Sequence, residues 1–137
     1  MLKRLLLLGI VSGLLAGVAA IIYQKVYCTA LSVDFSAKVQ TAAIPIATIV
    51  GCLLAALGNW VHYLLLKSKS EVIFNLLFAI LSFASIAGAF GVKLPLDSPA
   101  PPELLPGLVI PMHFFPIMAY LVIRPLFIKN VAEDKKA

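Results

Sequence analysis

The chain has 137 residues, of which 62% are hydrophobic and 12% charged, with a formal net charge of +5. A soluble domain runs nearer half apolar and a quarter charged, so a water-surrounded fold of this size would expose apolar surface that its few charges cannot cover. The mean hydropathy of +1.05 places the chain in lipid and excludes disorder, and two cysteines are too few for a disulfide scaffold.

Four apolar stretches approach the roughly 20 residues that cross a hydrocarbon core as helix. Their continuity excludes transmembrane strands, which would alternate in shorter segments. The expectation is an all-α integral membrane bundle of four transmembrane helices, with residues 1–137 as a single domain.

The first span covers about 5–23, carries no charge and follows Lys3 and Arg4. Its apolar run exceeds a signal-peptide core, so it reads as a retained helix despite the cleavage-like Val18-Ala19-Ala20. Gly9, Gly13 and Gly17 recur every fourth residue, flanked by Ser12, Ala16 and Ala20, and form a groove that admits a neighbouring backbone. In the loop of about 24–41, Asp34 is placed to cap a second helix starting near Phe35.

The second span covers about 42–66, between Lys38 and Lys67. Ala43, Ala47, Gly51 and Ala55, continued by Asn59, form a second small-residue stripe. Two such stripes on consecutive helices predict a close glycine-zipper hairpin, and Pro45 predicts a kink near its start. Gly51-Cys52 resembles the end of a lipoprotein signal but lies too deep in the chain for lipidation. Lys67 to Glu71 reads as a tight turn with Ser70 as a helix cap.

The third span covers about 72–92 and offers a weaker small-polar face at Ser82, Ser85 and Gly88. Prolines at 95, 99, 101, 102 and 106 predict an extended connection across the bundle mouth. The fourth span covers about 105–128, is interrupted by charge at Arg124, and is made irregular by Pro111, Pro116 and Pro125. Eight of the 11 Lys and Arg residues fall on the side of the two termini and three on the other, which predicts cytoplasmic termini. The positive charge is therefore a topology signal and an attraction to anionic lipid, not a nucleic-acid surface.

Polar residues inside spans are the functional candidates. The spans hold no Asp or Glu, which excludes transport through a membrane carboxylate that exchanges cation and proton. His62 and His113 are a tempting haem pair, but their places at opposite ends of their helices put them more than about 10 Å apart in depth. Clustered zinc ligands and Cys-x-x-Cys are absent, Cys28 and Cys52 lie too far apart to pair, and no nucleophile has a base beside it. No cofactor, metal or catalytic residue is expected.

Trp60, Tyr63, Tyr23 and Tyr27 fit interfacial aromatic belts. Asn59, His62, Tyr63, Asn75 and Arg124 are expected at one level, and Pro116, Tyr120 and Arg124 recur every fourth residue with His113 near the same face. This level reads as interhelical hydrogen bonding with an arginine reaching the headgroups, or as a cytoplasm-facing pocket for an anionic or lipid headgroup with Arg124 as charge partner.

Gly13-Leu14-Leu15-Ala16-Gly17, Val33-Asp34-Phe35-Ser36 and Pro111-Met112-His113-Phe114 resemble a family of small four-helix bacterial membrane proteins classed as a domain of unknown function. The resemblance implies a bacterial inner-membrane location and one four-helix domain, transfers no activity, and draws attention to His113. The charged helix motifs of glutathione-transferase-like membrane enzymes and the cysteine pairs of disulfide-forming quinone enzymes are missing. The function expected first is a non-catalytic accessory subunit packed on a larger membrane protein or on itself. The alternative is small-solute or lipid binding and transport at the polar level, and an enzyme acting on lipid or quinone through His113 or His62 ranks last.

Overall fold

A computed structural model describes residues 2–66, 70–91 and 101–133, and among these the only regular structure is helical. Helix α1 spans Leu2–Leu31, α2 Ala43–Leu66, α3 Ser70–Gly91 and α4 Leu105–Glu133, with a 3-10 turn at Pro102–Leu104 leading into α4. Three apolar segments, Leu2–Leu31, Ala43–Leu65 and Pro102–Ile128, are long enough to cross a membrane, and α3 contributes a shorter one, Val72–Gly88. The turn at 67–69, with the side chain of Ser70, and residues 92–100 of the proline-rich connection lie outside the described residues.

The helices alternate in direction. Leu5 and Leu8 of α1, Cys52, Ala55 and Ala56 of α2, Phe74 of α3 and Tyr120 of α4 form one buried cluster, with Trp60 and Phe127 against it. The start of α1 and the end of α4 therefore lie toward the same end of the bundle. At the opposite end, Phe35 packs on Leu105 and Leu108, with Tyr23, Tyr27, Val33 and Val39 around them.

The 30 residues of α1 make a helix of about 45 Å, longer than a hydrocarbon core of about 30 Å. The helix outlasts its expected span because its last turns have apolar and polar partners in the 33–41 loop. Gln24 donates to Val39 O at 2.7 Å and accepts from Thr41 at 3.0 Å. Beyond Leu31, Ser32 takes a left-handed φ of 53°. The Val33 N–H then reaches Cys28 O at 3.0 Å and the Ser32 N–H reaches Thr29 O at 3.3 Å. These are the two bonds of a Schellman end, with serine where glycine is usual.

Two expectations for α2 are corrected here. Asp34 Oδ1 accepts from the Ser36 N–H at 2.8 Å, but the turn it closes runs only from Phe35 to Val39. The helix itself begins at Ala43. Pro45 therefore lies in the first turn, where no helical bond needs its missing N–H, and the reason to expect a kink disappears.

Helix α4 runs on through Pro111, Pro116 and Pro125. Pro111 deprives Gly107 O of its usual donor four residues on. The Tyr23 hydroxyl supplies one at 2.8 Å. One turn along α1, Tyr27 donates to Leu104 O at 2.8 Å. The two tyrosines thus tie α1 to the start of α4, and Tyr23 does so by satisfying a carbonyl that lipid could not.

Candidate functional site

The glycine face of α1 meets α2 at very short range. A Cβ on Gly9 would lie 2.9 Å from Cys52 O, one on Gly13 2.6 Å from Ile49 Cα, and one on Gly17 3.0 Å from Thr48 Oγ1. The α2 residues on this face are Pro45, Thr48, Ile49, Cys52 and Ala56. They are not the expected stripe of Ala43, Ala47, Gly51 and Ala55. Ala43 and Ala47 are exposed, Gly51 has open space where a Cβ would stand, and of the four only Ala55 is buried. The α2 stripe is correct in spacing but faces elsewhere, because α1 needs a close backbone only on its own side and packs on larger α2 side chains.

Four residues of the polar seam bond in two pairs. Asn59 Nδ2 donates to the Tyr120 hydroxyl at 3.3 Å, joining α2 to α4. Arg124 Nη1 donates to Asn75 Oδ1 at 2.6 Å, joining α4 to α3. Tyr120 is 0% exposed and Arg124 7%, so the guanidinium is buried among helices. Its carbon lies 5.4 Å above the Phe74 ring, a cation–π contact strengthened by the absence of water. Tyr120, Phe78 and His62 lie around the same ring, at centroid distances of 6.0, 5.7 and 6.4 Å. His62 Nε2 is buried with no hydrogen-bond partner among the described residues.

A cavity of about 680 Å³ lies beside this level, between α2, α3 and α4. Its α2 wall includes Thr48, Gly51, Leu54, Ala55, Gly58 and His62; its α3 wall Phe74, Leu77, Phe78, Leu81, Ser82 and Ser85; its α4 wall Met112, His113 and Pro116. Ala20 and Val39 close one end. Ala47, Gly51, Leu54 and Gly58 of α2, and Leu77, Leu81 and Ser85 of α3, are exposed, whereas the α4 lining is half-buried. The cavity therefore opens sideways between α2 and α3, with α4 as its back wall.

Phe74 belongs to the lining and Arg124 does not, and no charged side chain stands among the described lining residues. A volume in the range of small-molecule sites, apolar walls and a few polar groups make a place for an uncharged chain rather than for an anionic headgroup. Both histidines line it. Tyr120, bonded to Asn59, lies seven residues beyond His113, and His62 lies three residues beyond Asn59, which puts the two imidazoles about 15 Å apart along the bundle. His113 Nδ1 bonds Val109 O at 2.8 Å. Of the candidate residues, Asn59, Asn75, Tyr120 and Arg124 form helix joints, while His62 and His113 reach the cavity.

The apolar lining residues Leu54, Gly58, Leu77, Leu81 and Met112 carry no mark in the sequence, since any lipid-facing position would look the same. Protein-family profiles, curated proteins and solved structures show no match to this chain.

Proposed function

We propose that this is a non-catalytic protein of the bacterial inner membrane, crossing it four times with both termini in the cytoplasm. Its α2–α3–α4 cavity holds the apolar chain of a membrane lipid or related amphiphile. The observation that carries the reading is the lateral cavity of about 680 Å³, walled by three helices and free of charge among its described lining residues. The four crossings rest on the alternating helices and on α3 as a shorter fourth apolar segment. The orientation rests on the bias of lysine and arginine, and the bacterial location on the family resemblance. The site differs from the pocket expected around Arg124, because that residue already serves the α3–α4 joint.

A second reading keeps the accessory role. Gly51 and Gly58 present nearly bare backbone at the cavity mouth, where a helix of a larger membrane protein, or of a second copy, could approach closely.

Native mass spectrometry of the protein released from its own membrane tests both. A retained amphiphile at one per chain, lost in Gly51→Trp, supports lipid binding. A stoichiometric protein partner lost in the same variant supports the accessory reading. Bare protein, or an adduct indifferent to Gly51→Trp, overturns the cavity as the functional site.

A further inference from the structure

The prolines of α4 decide which of its backbone groups are free. Pro116 has no N–H, so the carbonyl four residues earlier, Met112 O, loses its helical donor. At Pro111 the same loss falls on Gly107 O, and the Tyr23 hydroxyl makes it good. No side chain among the described residues donates to Met112 O. Met112 and Pro116 both line the cavity. A helical carbonyl lies on the surface between its own side chain and the one four residues on, so this oxygen faces the cavity from its back wall.

A donor stands near it on α3. The Phe83–Phe114 and Phe78–Tyr120 ring pairs, at 5.2 and 5.5 Å, set the antiparallel register of α3 and α4. By that register Ser82 lies level with about residue 115, within roughly one turn of Met112 O. Ser82 lines the cavity, and its hydroxyl makes no hydrogen bond among the described residues. Its carbonyl is the group that accepts from Ser85, at 2.7 Å. Thr48 Oγ1 is turned to Gly17 in the α1–α2 contact, and His113 Nδ1 bonds Val109 O at 2.8 Å. Neither is needed by the pair.

In lipid an unpaired carbonyl and an unpaired hydroxyl are each costly. One group that donates to the first and accepts from the second satisfies both, and a hydroxyl is the smallest such group. An ether oxygen only accepts, and a hydrocarbon does neither.

We infer that Ser82 and the Met112 carbonyl form a donor–acceptor pair that seats the head of a long-chain alcohol or another hydroxyl-headed amphiphile. Its apolar chain lies along Leu54, Leu77 and Phe74 toward His62. The inference rests on the cavity being a ligand site, as proposed above.

The test uses the full chain in phosphatidylcholine nanodiscs, labelled by a long-chain alcohol with a photoreactive diazirine in its tail. Octadecanol, methyl octadecyl ether and octadecane compete for the label. Octadecanol is expected to displace it about tenfold more effectively than the ether, the value of roughly one hydrogen bond, and the ether severalfold more effectively than octadecane. Pro116→Ala returns an N–H to Met112 O without burdening the helix. It should abolish the preference for alcohol over ether and leave that for ether over octadecane. Ser82→Ala should do the reverse. Pro125→Ala, at an exposed position outside the lining, should change neither. Equal competition by alcohol and ether, or survival of either preference in its own variant, overturns the pair while leaving the cavity intact. A loss as large in Pro125→Ala overturns the assignment to Met112. Labelling that persists in Gly51→Trp overturns the cavity itself.

Discussion

Gly51 and Cys52 are neighbours on α2, yet they meet opposite surroundings. Cys52 is 0% exposed and sits against the backbone of α1 at Gly9, whereas a Cβ added to Gly51 would meet nothing within 4 Å. One face of α2 is packed until backbones nearly touch, and the other is held off by α3 and α4 to leave a cavity. A small residue therefore makes a contact or a hole according to how close the facing helix comes, and that distance is set elsewhere. Here it is set by the joints that keep α3 on α4: the Arg124–Asn75 bond, and the Phe78–Tyr120 and Phe83–Phe114 rings at 5.5 and 5.2 Å.

The contrast is tested most severely by the same change on both faces. Gly13→Leu should cost about 3 kcal/mol or more in detergent-micelle unfolding, since even its Cβ would lie 2.6 Å from Ile49 Cα. Gly51→Leu should stay within about 1 kcal/mol of the parent, because open space receives the side chain and glycine is the poorer helix former. Equal costs at the two positions would mean that the faces of α2 do not differ.

The α3–α4 joint comes next. Asn75→Ala removes the acceptor 2.6 Å from Arg124 and is expected to cost about 2 kcal/mol, the scale of a hydrogen bond to a charged group. It should also let α3 move, which spin labels placed across the cavity would read as a broader distance distribution. A smaller loss, about 1 kcal/mol, is expected for Tyr23→Phe, which leaves Gly107 O without the donor that Pro111 cannot provide. Tyr27→Phe serves as its comparison, since the N–H of Leu108 remains available to Leu104 O.

The smallest effect is at Asp34. The Ser36 N–H holds its carboxyl below the ordinary value of 3.8. A lowered native pKa stabilises the loop above the ordinary value, and this contribution is lost as the pH falls through the native value. Amide exchange at Ser36, corrected for its intrinsic pH dependence, should lose protection on acidification in the parent. In Asp34→Asn that pH dependence should vanish.

Much of this arrangement was legible beforehand. Continuous apolar runs announced the helices because lipid demands internally satisfied backbone, and the α1 glycines announced a close approach because nothing else leaves such a groove. Helical rise alone groups Asn59, His62, Tyr63, Asn75 and Arg124 at one level, and the four-residue spacing puts Tyr120 on the α4 face of Arg124. The Asn59–Tyr120 and Asn75–Arg124 bonds did not follow, because depth says nothing about rotation. The same ignorance of rotation put the α2 stripe on the wrong face. In the 33–41 loop, the sequence around Asp34 suits a helix cap and an Asx turn equally, because the two share their first hydrogen bond.

Composition and periodicity were sufficient for the apolar helices and for the place of each polar residue along its own helix, since those depend on one helix at a time. The facing of α2, the burial of Arg124 and the cavity depend on how four helices are rotated and spaced together. A helix that is apolar all round carries little moment to encode that rotation. The choice falls to a few pairwise contacts: glycine against Ile49, Asn75 against Arg124, and tyrosine hydroxyls against the carbonyls of α4.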